Sequence, residues 1–354
     1  MKKAILKRTV WSSFIVIVLC VLLSSAWAAD TSCKTKYPII LAHGMGFYPT
    51  STLPNSFPGI VEALRACGAT VYITQVEPLG TSAEKAKQFV DGYTFNGVKY
   101  GNFKGIKAAS GAAKFNIIGH SQGGLYTRYA ISNLGIAPYV ASLTTVDSPH
   151  RGSLIDSITA MQAKLMPDLA TKLMAAVNPY NYDYLSKATG ESVATIAAKA
   201  QANQEDLSVK NMTLKFNPNT PNKAGVYYQS FSCAYKVYDT LKSTVEGLKQ
   251  IIALYTNTMP KQPNPEDGMA IANFIQAGMP NYAATCFQYG GGLGDGLVQV
   301  DSAKWGTYLG TQFGPWYNVK GLNHFDAINI NKGATWDAVG YYVQLVKDLK
   351  AKGF

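Results

Sequence analysis

Phe115-Asn116-Ile117-Ile118-Gly119-His120-Ser121-Gln122-Gly123-Gly124-Leu125 is an apolar run that passes through Gly-x-Ser-x-Gly into a helix-forming stretch. Glycines two before and two after the serine let the backbone bend sharply without Cβ clashes. The Ser121 hydroxyl is then left exposed above a sheet, at a helix N-terminus. The pentapeptide alone is weak evidence. Its position after a buried-type strand and before the helical run 125–134 makes Ser121 a candidate nucleophile rather than part of an ordinary strand-to-helix turn.

Outward from that stretch, short apolar runs alternate with helical patterns from residue 37 onward, the signature of a parallel sheet covered on both faces. The pattern predicts strands at 37–42, 70–74, 114–119, 139–146, 226–232 and 316–319, and helices at 57–66, 82–90, 122–134 and 335–350. Two insertions interrupt it. Residues 152–224 hold Ala-, Met- and Leu-containing helical stretches and read as a cap or lid, whose candidate apolar stripe is Leu165, Met166, Leu169, Leu173 and Met174. Residues 234–289 form a second insertion with a Pro-rich loop. Neither looks long enough for a core of its own, so 29–354 reads as one α/β domain.

The chain has 354 residues, 47% of them hydrophobic and 15% charged, which excludes disorder and extended coiled coil. Residues 1–28 read as a secretory signal: Lys2, Lys3, Lys7 and Arg8, then an apolar stretch over 14–23, then Ala26-Trp27-Ala28 at the cleavage point. An uncleaved N-terminal anchor is the alternative, though the apolar stretch is short for a span. Loss of those four basic residues takes the net charge from +11 to +7. The remaining Lys and Arg are scattered singly, so nucleic acid is not an expected partner. Cys33, Cys67, Cys233 and Cys286 remain after the signal, an even number for an oxidising compartment. The expected pairs are Cys33 with Cys67, which flank a first strand and its helix, and Cys233 with Cys286.

A serine hydroxyl needs a base, and the base needs an orienting carboxylate. The histidines are His43, His120, His150 and His324. In this architecture the base follows both serine and acid in the chain, which leaves His324, since few acids separate His150 from Ser121. For the acid, Asp295 stands in the flexible turn Gly294-Asp295-Gly296, with Asp301 and Asp267 in reserve. The oxyanion calls for preorganised N–H donors. The backbone of Gln122 and, in the glycine loop His43-Gly44-Met45-Gly46, that of Met45 are the candidates; a plain glycine turn with a structural His43 is the alternative.

On Leu41 to Gly46, Val71 to Val76, Asn116 to Gly124, Ser148-Pro149-His150-Arg151-Gly152-Ser153, Gly225 to Tyr228, Asp295 to Val298 and Asn323-His324-Phe325-Asp326, the chain resembles the true lipases of bacterial family I, the secreted Pseudomonas and Burkholderia type triacylglycerol lipases. The resemblance spans most of the chain after the signal. It implies an α/β-hydrolase fold with a helical lid, a Ser121, Asp295, His324 triad, and oxyanion donors at Met45 and Gln122. It also implies a structural calcium held partly by Asp326. The glutamine expected six residues after the histidine is Ile330 here, and a helix-start or hydrogen-bonding role for Asp326 fits equally well.

The expected activity is therefore hydrolysis of lipid carboxylic esters by a secreted enzyme, with triacylglycerol the leading substrate at an oil–water interface. The chemistry itself requires no cofactor. A monomer is expected, with a dedicated folding chaperone among the partners the resemblance suggests. A soluble short-chain carboxylesterase or polyester depolymerase is the alternative within catalysis, and a non-catalytic secreted binding protein the alternative outside it.

Overall fold

The computed structural model describes residues 30–47, 56–154, 185–187, 189–236, 292–315, 321–330 and 336–354. The signal, the apolar stripe of the lid, nearly all of the second insertion with Asp267 and Cys286, and the strand expected at 316–319 lie outside these. Among the described residues no helix is long and apolar enough to cross a membrane.

Six strands form one parallel sheet in the order β2-β1-β5-β6-β7-β8. They are β1 Ile39–Ala42, β2 Val71–Thr74, β5 Phe115–His120, β6 Val140–Val146, β7 Tyr227–Cys233 and β8 Thr307–Gln312. Side chains alternate across the sheet, which divides the core. Ile39 and Leu41 of β1, with Ile118 and Val146, pack on one face beneath α1 Ile60–Ala66 and the C-terminal helix, while Ile40, Ala42, Phe115, Ile117 and Leu143 pack on the other. The second face is covered by α2 Ser82–Asp91, α3 Asn102–Ser110 and α4 Gln122–Asn133. A capping box between Thr81 and Glu84 starts α2.

At its edge the sheet holds a strand the sequence reading lacked. Among the described residues the last strand is Thr307–Gln312, which the apolar-run criterion passed over because this edge strand is only partly buried and carries a glycine in its interior. A hairpin of β3 Tyr93–Phe95 and β4 Val98–Tyr100 was also missed, although Asn96-Gly97 between them is a strong short-range hairpin signal.

Of the first insertion, α5 Val193–Asp206 and a turn over Met212–Phe216 are described. They are pinned to the sheet domain by polar contacts. Buried Arg128 of α4 donates to His150 Nδ1 at 2.9 Å, Asn217 Oδ1 at 3.1 Å and the Thr220 carbonyl at 3.1 Å, and lies 3.4 Å over the Trp305 ring. The domain closes with α6 Ala338–Ala351, packed on α1.

Cys33 and Cys67 are joined by a disulfide across 34 residues, as expected. The second expected pair, Cys233 with Cys286, falls on Cys286, which lies outside the described residues; Cys233 is buried at the end of β7 and has no disulfide partner among the described residues. Burial pushes its thiol well above the ordinary pKa, beside Asp147 and Asp295.

Candidate active site

Strand β5 ends at His120, and Ser121 turns the chain into α4 with φ 55° and ψ −129°, a conformation that costs energy for any residue with a Cβ. The turn is over-determined by close packing. A Cβ on Gly44 would stand 2.6 Å from Ser121 Cβ, and one on Gly123 would collide with the Ala42 carbonyl. The first loop, after β1, is thus pressed directly against the elbow after β5. β1 and β5 are neighbours in the sheet, and this junction is where the strand order reverses, the usual crevice for ligands in open α/β sheets.

The first loop is fixed by His43. Val76 N–H donates to His43 Nε2 at 3.2 Å, so the ring proton sits on Nδ1, which donates to the Gly44 carbonyl at 2.8 Å. Burial pushes this imidazole down to about 4, so it is a neutral brace. Met45, half-buried, follows on this loop, and Gln122 heads α4, in the first turn where N–H groups lack intrahelical partners.

The Gln122 side chain is held rather than left to water. Gln122 Oε1 accepts from Lys85 Nζ at 2.5 Å and from Asn203 Nδ2 at 2.9 Å, while Gln122 Nε2 donates to the Gly80 carbonyl at 3.1 Å. Lys85 is fully buried, and burial pushes its ammonium down to about 7. Asp206 accepts from Ser82 N and Oγ at 2.8 and 2.6 Å. Asn203 and Asp206 both lie on α5, so this insertion helix is bonded to the elbow. Neither Lys85 nor Asn203 was singled out from sequence, since contacts between distant helices have no local signal.

Sequence separation collapses at the far corner. His324 Nδ1 donates to Asp295 Oδ2 at 2.6 Å, and His324 N–H donates to the Asp295 carbonyl at 3.1 Å. Asp295 Oδ1 accepts from the N–H groups of Leu297 and Val298 at 2.8 and 2.7 Å, an aspartate turn that locks the carboxylate. Both residues are buried, His324 at 2% and Asp295 at 0% exposure. His120 Nε2 donates to the His324 carbonyl at 3.0 Å, and the two rings lie 4.5 Å apart, which brings His324 beside the residue that precedes Ser121. Among the described contacts no hydrogen bond joins Ser121 Oγ to His324. Such bonds are often long before substrate arrives.

The remaining candidates separate cleanly. Asp301 is exposed and pairs with Lys304, so it is no rival to Asp295. His150 is buried between Arg128 and Thr145, and burial pushes its pKa well down. Asp326 Oδ2 accepts from Asn323 N at 2.7 Å at the start of a short 3₁₀ turn. Calcium needs six or more oxygen ligands. Among the described residues the one cluster of metal-ligating side chains is Asp147, Asp295 and His324, and it does not include Asp326. That cluster contains the Asp295–His324 pair, its facing atoms already bonded to each other, so it does not fit a metal.

Two solved structures with the same fold cover nearly the whole chain. Lipase 1 from Pelosinus fermentans aligns over 89% of this chain and 99% of its own, with a TM-score of 0.51 at 17% identity. EstA from Clostridium botulinum covers 89% and 87%, with a TM-score of 0.53 at 16% identity. The chain has the α/β-hydrolase fold. In sequence, it is 29% identical over 324 residues to a triacylglycerol lipase of Burkholderia plantarii, covering 86% of the chain and 82% of that relative. It is 28% identical over 320 residues to one of Pseudarthrobacter phenanthrenivorans, covering 85% and 91%. Residues 38–189 also match a family model described as palmitoyl protein thioesterase. The resemblance to bacterial lipases therefore extends along the chain and is not confined to the serine motif.

Proposed function

We propose that this α/β-hydrolase is a secreted triacylglycerol lipase acting through Ser121, His324 and Asp295. It is a carboxylic ester hydrolase. The observation that carries the residue assignment is the 2.6 Å bond from His324 Nδ1 to Asp295 Oδ2 at the same end of the sheet as the strained Ser121 turn. With its proton held on Nδ1, the imidazole presents Nε2 as a base. Ser121 Oγ attacks the ester carbonyl as Nε2 takes its proton, and the N–H groups of Met45 and Gln122 receive the developing oxyanion. His324 then protonates the leaving alcohol, and water releases the acyl-enzyme by the same route in reverse.

Residues 152–224 act as the lid, with α5 as its described anchor, and residues 1–28 direct export. The Cys33–Cys67 disulfide suits an oxidising compartment. A dedicated folding chaperone belongs to the same proposal.

Hydrolysis of p-nitrophenyl esters of short and long chain and of emulsified triacylglycerol, with Ser121→Ala as control, tests the reading. Long-chain and emulsion activity lost in the variant supports the lipase. Activity confined to short, dissolved esters identifies a short-chain carboxylesterase, and turnover unchanged in Ser121→Ala defeats the assignment.

A further inference from the structure

Behind the Asp295–His324 pair lies a second buried acid that this chemistry does not use. Asp147 follows the last residue of β6, is 1% exposed, and is held at φ 47°, a left-handed conformation uncommon for a residue with a Cβ. One carboxylate oxygen each of Asp147 and Asp295 and one ring nitrogen of His324 lie within 4.8 Å of one another. Two carboxylates this close and this dry cannot both carry charge. The donors around them decide which one keeps it. Asp295 receives three hydrogen bonds, from Leu297 N, Val298 N and His324 Nδ1. Asp147 is held on one side only, at Oδ1 by Cys233 N at 2.6 Å with the Cys233 thiol beside it, while its Oδ2 is buried and finds no donor. An acceptor with no donor that faces a carboxylate is satisfied once it carries a proton itself.

We propose that Asp147 is a positioning residue of the active site: its protonated carboxyl group donates to Asp295, and it is the reserve acid for His324 when Asp295 is lost. This rests on the assignment of Ser121, His324 and Asp295 above. Burial first, and the Asp295 charge second, push the Asp147 carboxyl well above the usual carboxylate range. The other titratable groups around it are His324, the Cys233 thiol and the phenols of Tyr341 and Tyr342. The proton never leaves Asp147 during turnover. Its work is to fix the Asp295 carboxylate from behind while Leu297 and Val298 fix it from the side.

The test is a double-mutant cycle on esterase turnover together with an infrared readout. Asp147→Asn alone lowers kcat about threefold with KM little changed, because the amide keeps a donor and an acceptor. Asp295→Ala leaves residual turnover, and adding Asp147→Asn lowers that remaining turnover by a further tenfold or more, a larger loss than the same substitution causes in the intact chain, as expected when one acid stands in for the other. At neutral pH the native chain shows a protonated-carboxyl C=O band that shifts in D₂O and is missing from Asp147→Asn. Asp147→Ser, which also removes the acid, carries the same expectations where the asparagine variant fails to fold. A double variant no slower than Asp295→Ala, or an unchanged infrared band, overturns the proposal. Ser121→Ala run alongside separates that outcome from failure of the triad itself, which would show as turnover persisting without the serine.

Discussion

The two ends of the proposed active site are built by opposite means. The serine end is a backbone device: a strained Ser121 at the end of β5, packed so tightly against the first loop that side chains are excluded at Gly44 and Gly123. The acid end is a side-chain device, in which Asp295 collects three hydrogen bonds and a second carboxyl stands behind it. Steric exclusion writes glycines at fixed offsets into a few adjacent residues. Hydrogen-bond convergence draws on β6, a glycine-rich turn and a distant loop, and leaves no fixed spacing.

The contrast is sharpest where one group is removed from each end. Ser121→Ala removes the nucleophile and is expected to lower kcat on the order of 10⁵-fold or more with the thermal midpoint nearly unchanged. Asp295→Asn leaves the corner's shape but places an amide against Nδ1 and favours the wrong tautomer, for a loss of about 10³- to 10⁴-fold in kcat. Equal activity in wild type and Asp295→Asn would mean that the acid end is structural only. Gly44→Ala forces the first loop away from Ser121 and carries Met45 with it; a loss of about 10²-fold in kcat is expected, the usual effect of one oxyanion donor. A variant with unchanged kcat would show that Met45 N–H is not part of the hole.

The serine end was the legible one. Ser121, Gln122 and the glycine loop could be read from adjacent residues, because each strand-turn-helix unit writes its own punctuation. His324 followed from a short list of histidines and their order in the chain. Asp295 was separable from Asp301 only as the acid in a glycine turn, and the structure gives the physical reason: that turn's N–H groups hold the carboxylate inward, while Asp301 points to solvent. Asp147 was passed over although it directly follows a fully buried strand at the carboxyl edge of the sheet, where an acid has few reasons to be. Likewise β8 escaped because an edge strand need not be apolar.

Stability also distinguishes parts of the domain. The Cys33–Cys67 disulfide closes a long loop and none of its described contacts is with Ser121, Asp295 or His324, so Cys33→Ala with Cys67→Ala is expected to lower stability by about 3–4 kcal/mol in denaturant titration, with kcat per folded molecule unchanged. His43 is neutral in the fold, with its pKa pushed down to about 4 by burial from an ordinary value of 6.5. The unfolded chain therefore binds the extra proton between these values. Stability present above pH 6.5 is lost as pH falls through that window, by roughly 3 kcal/mol. His43→Gln should flatten this part of the pH dependence of the thermal midpoint; an unaltered slope would place the acid sensitivity elsewhere.

The central claim, that the strained turn after β5 presents one activated hydroxyl, is tested most directly by reacting the folded chain with a fluorophosphonate and mapping the adduct by mass spectrometry. A single adduct on Ser121, absent from His324→Ala within the same reaction time, is the expected result. Label on another residue, or equal labelling of Ser121 without His324, would contradict it.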